Sequence, residues 1–311
     1  MTIIFSPFIQ QIGRVEPYIS LDEFKFSATA AAIDYTNLVA NGGQPAQDRA
    51  LSELIVRASA KIDAHCYGRM GTLNATVNTQ PGRYRLDRQG RFKIHPSFTP
   101  VTAVVGFSWG QLPGVLSPLT LTSANVWPEE ESIIIVPWGS NNTTTTYTGI
   151  NTLSNLTQDW GGGEYYTEFT YVNGWPNSFT TTSTNAGDTS IVLKDATGLF
   201  PLNFVTIWDG MNDEYVQIAS SYVPDTLTVP LVNPLAYKHG VGVNVSAMHP
   251  NIKQACIHFV VAMVVERGDG GIVLTENGAD TMVSSKSTMA IEHEVAAWDL
   301  LDDFMAIAGR F

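Results

Sequence analysis

Six histidines and two cysteines are the side chains best suited to hold a metal, and their spacing argues against it. His65, His95, His239, His249, His258 and His293 are scattered along the chain. No His-x-x-x-His or Cys-x-x-Cys pair occurs, so a compact metal motif is absent. Cys66 beside His65 and Cys256 near His258 could meet as ligands only from facing helices; buried free thiols account for both cysteines. Asp209, Asn212, Asp213 and Glu214 crowd one turn, but a calcium loop needs more oxygen ligands in fixed register. A hairpin turn is expected there. Glu129-Glu130-Glu131 could supply a glycosidase's carboxylate pair, or a solvated loop. Trp109, Trp127, Trp138, Trp160 and Trp175 could form a sugar platform, or fill cores and subunit contacts. Gly161-Gly162-Gly163 lacks the Gly-Lys-Ser/Thr of a phosphate loop, and no G-x-S-x-G or G-x-G-x-x-G is present. The Arg267-Gly268-Asp269 triplet reads as a helix stop. The expectation is no catalytic residue, no cofactor and no metal.

The elements carrying these residues are helices interrupted by strands. Ser20 and Glu23 form an S-x-x-E capping box that opens a short helix. Asn41-Gly42-Gly43-Gln44-Pro45 breaks the chain. From Gln47 to Cys66, the positions Leu51, Leu54, Ile55, Ala58, Ile62 and His65 follow helical spacing. Arg49, Glu53, Arg57 and Lys61 take the other side, with Glu53 ahead of Arg57 in the favourable order. Short strands are expected at Tyr84–Asp87, Phe92–His95, Val101–Val105, Ser132–Val136 and Thr167–Val172. Asn141–Thr146 is a polar, low-complexity loop. Residues 177–247 look like a separate β-module: Ser190–Leu193, Phe204–Trp208, Glu214–Ile218 and Thr226–Val229 are separated by regular turns, as in a small barrel or sandwich.

Helix returns at Pro250, a good first-turn residue. Ile252, Ala255, Cys256, Phe259, Val260, Met263 and Val264 make the strongest periodicity in the chain, expected to bury against the 47–66 helix. A last helix is expected over Thr288–Ala308. Ile291, Val295, Trp298, Leu301 and Met305 form its stripe, widened by Ala297, Leu300, Phe304 and Ile307. Glu292, Glu294, Asp299, Asp302 and Asp303 line the rest. Such a helix either docks on its own core or fills a partner's groove.

The 311 residues suggest roughly two domains. With 44% apolar residues, real cores can form. Charged residues are only 15%, and 31 threonines fill the gap, as suits a β-rich chain with extensive packed contacts. Net charge is −12, which argues against a protein that grips nucleic acid over a broad basic surface. No apolar run is long enough to span a membrane. Met1–Gln11 has no basic region of the signal-peptide kind.

Four stretches, in this order, resemble the head-to-tail adaptor (connector) proteins of long-tailed bacteriophages. Tyr18-Ile19-Ser20-Leu21-Asp22-Glu23-Phe24 is similar to that family's opening into its first helix, and Ala50–Gly68 to its long helix ending near an aromatic and a glycine. Tyr171-Val172-Asn173-Gly174-Trp175-Pro176 is similar to the strand-to-turn before the next core helix. His249-Pro250-Asn251-Ile252-Lys253-Gln254-Ala255 opens that helix, which Arg267-Gly268-Asp269-Gly270 ends. The likeness covers about half the chain. Small members run almost directly from the strand-turn into the helix, whereas here 177–247 intervenes.

The resemblance implies an α+β fold: a small helical adaptor core interrupted by β-rich segments, an inserted small β-barrel or sandwich, and a C-terminal helical arm. The corresponding segments are 1–45, an N-terminal arm and short helix; 46–176, core helix plus β-region; 177–247, inserted domain; 248–270, core helix; and 271–311, linker and docking helix. Core packing would come from Leu51, Leu54, Ile55, Ala58, Ile62, Ile252, Cys256, Phe259, Val260 and Met263. The resemblance further implies a virion structural protein, not an enzyme. It would form a ring, usually of twelve copies, under the portal protein and extend the DNA channel. It would attach a downstream neck, stopper or tail-terminator protein. DNA would pass without specific binding, no membrane would be involved, and assembly would occur in the host cytoplasm. Ile291, Val295, Trp298, Leu301, Phe304 and Met305 would dock on the portal. The rival reading is a carbohydrate-binding or glycan-hydrolysing β-protein of a phage tail or cell surface.

Overall fold

A computed structural model describes residues 16–31, 33–35, 38–40, 42–66, 72–130, 132–137, 164–267 and 279–308. The glycine triplet at 161–163, the 141–146 loop, Trp138, Trp160, Glu131, and Gly268 and Asp269 lie outside the described residues. Among those described, four helices and thirteen strands in antiparallel sheets make a mixed α+β fold. The chain divides into two compact units, 1–75 with 175–311, and 76–174.

In the first unit, α1 (Leu21–Phe26) starts at Ser20, whose Oγ accepts from the Glu23 amide at 3.0 Å while the Glu23 carboxylate accepts from the Ser20 amide. Both halves of the capping box are made. The long helix α2 (Gln44–Cys66) begins slightly before the expected start. Pro45 fits its first turn, where a missing N–H costs nothing.

Helix α3 (Pro250–Arg267) is buried nearly all round. Ile252, Ala255, Cys256, Phe259 and Val260 are inside, and so are Ile257, Val261 and Ala262 on other sides of the helix. The reason is a second neighbour. One side meets α2, where Leu51, Leu54, Ile55, Ala58 and Ile62 are buried and Met263 packs at the edge. Another side meets α4 (Ala279–Ala308). His258 meets His293 and His249 meets Phe304, so α3 and α4 run antiparallel. The α4 helix starts nine residues before the expected Thr288.

Residues 177–247 form their own hydrophobic cluster, centred on Ile191, Leu193, Val205, Ile207, Ile218 and Val229. Strands β11 (Glu214–Gln217), β10 (Phe204–Trp208), β13 (Asn244–Ser246) and β8 (Asn177–Phe179) make one sheet in that order. Strands β12 (Thr228–Pro230) and β9 (Ser190–Val192) make a separate pair. No sheet among the described residues closes, which corrects the barrel expectation. The sheet order has two ends, at β11 and β8. Strands β8 and β13 escaped the sequence because they are three residues each and mainly polar.

The second unit holds a sheet ordered β1 (Thr76–Arg85), β7 (Glu164–Asn173), β3 (Val101–Leu112) and β4 (Val115–Pro118). A smaller sheet has β2 (Phe92–Ile94), β6 (Ser132–Ile135) and β5 (Val126–Glu129). Strand β7 pairs along its whole length with β1, from Thr76 opposite Asn173 to Arg85 opposite Glu164. Phe92, Ile94, Phe107, Ile133, Ile135, Phe169 and Tyr171 fill the core. Strand β1 reaches well upstream of the expected Tyr84 start. Its polar alternating residues leave one face half-buried and the other exposed. Glu129 ends β5 rather than lying in a loop, and Glu130 takes the following turn at φ 54°.

Candidate docking surface

The apolar stripe of α4 divides in two. Leu301 and Ala297 are fully buried against α2 and α3. Trp298 packs edge-on to Phe259 at 4.5 Å and against His65 at 4.1 Å. Phe304 meets Trp175 at 5.8 Å and His249 at 5.2 Å. Lys61 lies over the Phe259 and Trp298 rings and pairs with Glu294. Three of the six expected docking residues are therefore held by the chain's own core. Large apolar side chains within reach of a core are worth about 1.5–3 kcal/mol each when buried. Ile291 and Val295, one turn apart, stay 56% and 52% exposed. They share the outer face with Glu292, Asp299 and Asp302. The Met305 side chain lies outside the described residues.

What fixes α3 is an ionic cluster. Lys253 Nζ donates to both Glu23 carboxylate oxygens at 3.0 Å and to Asn244 Oδ1 at 2.6 Å. It also lies 4.7 Å from the Trp208 ring centre. Burial pushes the Glu23 carboxyl up and the Lys253 ammonium down in pKa, each opposed by the charge of the other. The cluster ties α1, α3 and the β10–β13 sheet together. It was legible only as a lone lysine in an apolar helix.

A second buried acid is Asp63 on α2. Its Oδ1 accepts from the Tyr18 hydroxyl and from the Leu73 amide at 2.8 Å. Burial nevertheless raises its pKa to about 6. A carboxyl whose pKa is raised on folding binds its proton more tightly in the native state. The stability it contributes is full below the unfolded value of about 3.9 and is lost as pH rises through about 6. Asp63→Asn should therefore melt higher than the parent at about pH 7.5, with the gap closing as pH falls to about 4. His258 and His293, whose Nδ1 atoms lie 2.8 Å apart, are both lowered by burial and run oppositely in this window. The comparison of variant with parent isolates Asp63. A gap independent of pH would contradict its assignment.

The turn acids make a hairpin turn, as expected. Asp209 accepts from the amides of Met211 and Asn212, and Asp213 from that of Gly210 at 2.9 Å. His239, read from the sequence only as one of six scattered histidines, sits between Asp209 at 2.7 Å and Glu214 at 3.2 Å. No group of three ligating side chains arranged for a metal occurs among the described residues. Cys66 and Cys256 are buried free thiols, both pushed up to about 12 chiefly by burial. Trp109 packs with Phe92 and Tyr165, and Trp175 with Phe304. Trp127 lines a groove of about 400 Å³ with Val104 and Leu121. The described tryptophans thus go to separate places. Glu129 lies 3.8 Å from Arg91.

Comparison with protein-family models, curated proteins and solved structures finds no match.

Proposed function

We propose that this protein is a head-to-tail adaptor of a long-tailed phage. In this reading it is a non-enzymatic ring, of about twelve copies by the resemblance, under the portal in the virion neck. It extends the DNA channel and receives a downstream neck or tail protein. The observation that carries the reading is the way the helical core is assembled. Helices α2 and α3 pack side by side although the chain between them makes four sets of strands, the order in which the four resembling stretches occur. The acidic composition suits a channel wall that lets DNA slide.

In this reading Trp298, Leu301 and Phe304 anchor α4 to its own core, and Ile291 and Val295 face the portal. Ile291→Asp with Val295→Asp should change stability little, because both are exposed. It should weaken co-sedimentation with portal-bearing, DNA-filled heads by about tenfold or more, since charge is placed in an apolar contact. Undiminished binding would remove α4 from the docking surface.

A further inference from the structure

A closed ring of more than two identical copies is built head to tail, so each copy must carry two different, complementary surfaces. Two surfaces of opposite character are present. The first is the β1–β2 hairpin. Residues 83–93 hold five basic side chains against Asp87 alone, net +4 in a chain of net −12. Asp87 fixes its turn by accepting from the Gln89 amide at 2.8 Å and the Arg91 amide at 2.9 Å. Gly90 follows at φ 74°. Arg83 and Arg85 share Glu164, and Arg91 is taken by Asp87 and Glu129. Arg88 and Lys93 stand exposed outside those pairs. The interleaved carboxylates make this hairpin a poor match for a polyanion, which needs positive charge unbroken by acid.

The second surface is on the β10–β11 hairpin. The Phe204 and Tyr215 rings are parallel at 5.0 Å and stand 47% and 67% exposed. Asp213 and Met211 are exposed at the same hairpin. Phe26 covers Gly210 so closely that a Cβ there would lie 2.8 Å from its ring. Leu202, next to this pair, is exposed and held at φ 67°, a left-handed conformation that a side-chain-bearing residue seldom adopts. Residues 177–247 carry six carboxylates against two lysines, net −4. Exposed aromatic faces beside a carboxylate are suited to a guanidinium, which can stack on the rings and pair with the acid.

We propose that the β1–β2 hairpin of one copy docks on the Phe204–Tyr215 face of the next, with Arg88 against the aromatic pair and Asp213. This rests on the adaptor reading and names the contact by which its ring closes. Sedimentation velocity of the full chain across concentration and salt is the test. Arg88→Glu with Lys93→Glu, and separately Phe204→Ser with Tyr215→Ser, should each weaken self-association by about tenfold or more. Both should keep the parent's circular dichroism and melting. Asp213→Arg combined with Arg88→Glu should recover most of the loss, and added salt should weaken the parent. Unchanged association of the two double variants, or a parent that stays monomeric throughout, would overturn the proposal. So would loss of binding to a short DNA duplex by Arg88→Glu/Lys93→Glu with sedimentation unaltered, which would assign the hairpin to nucleic acid. The readout needs no portal. Failure of the parent to bind portal-bearing heads would count against the adaptor reading, whereas unaltered sedimentation of the variants counts against this docking alone.

Discussion

Lys253→Ala should destabilise the protein by about 3–5 kcal/mol, the cost of leaving a buried charge without its partner. Glu23 is almost fully buried, and its other hydrogen bond is to the Ser20 amide at 3.4 Å. Without Lys253 its carboxylate must either stay charged in an apolar surrounding or take up a proton. Asn244 Oδ1 loses its donor at the same time. Lys253→Met with Glu23→Gln should recover much of the loss, because removing both charges removes the desolvation penalty with the attraction. Urea unfolding followed by circular dichroism reads both variants. A loss under about 1 kcal/mol for Lys253→Ala would mean that the cluster is solvated in solution.

Phe259→Ala comes next, at about 3–5 kcal/mol, the range for emptying a buried aromatic site. Phe259 is fully buried, touches Trp298 and lies under the Lys61 ammonium. Its loss opens a cavity where α2, α3 and α4 meet. Glu129→Ala, which gives up a partly exposed contact to Arg91, should stay within about 0.5 kcal/mol. Equal melting of Phe259→Ala and the parent would show that the three helices are not packed as described.

Periodicity located α2, α3 and most of α4, because a core-facing stripe repeats every three or four residues whatever its neighbours are. It did not show that α3 has neighbours on several sides, since a helix buried all round has no polar face to mark its orientation. The same blindness left the fate of Trp298 and Leu301 open: an apolar stripe looks alike whether it meets its own core or a partner. In 76–174 the start of β1 was missed because it carries Thr, Asn and Gln and then Pro81-Gly82 in place of alternating apolar residues, and the end of β3 because Gly106 and Gly110 break up the run around Phe107 and Trp109. The Lys253–Glu23–Asn244 cluster and the His239 contacts join residues far apart in sequence. No local pattern encodes such pairings. The capping box at Ser20, by contrast, is a contact between residues three apart, and it was readable directly.

Negative-stain microscopy of the purified protein mixed with its portal tests the central reading most directly. Class averages are expected to show a second ring sitting coaxially on one face of the portal, with the channel left open. Portal rings without added density, beside free monomers of this chain, would contradict it.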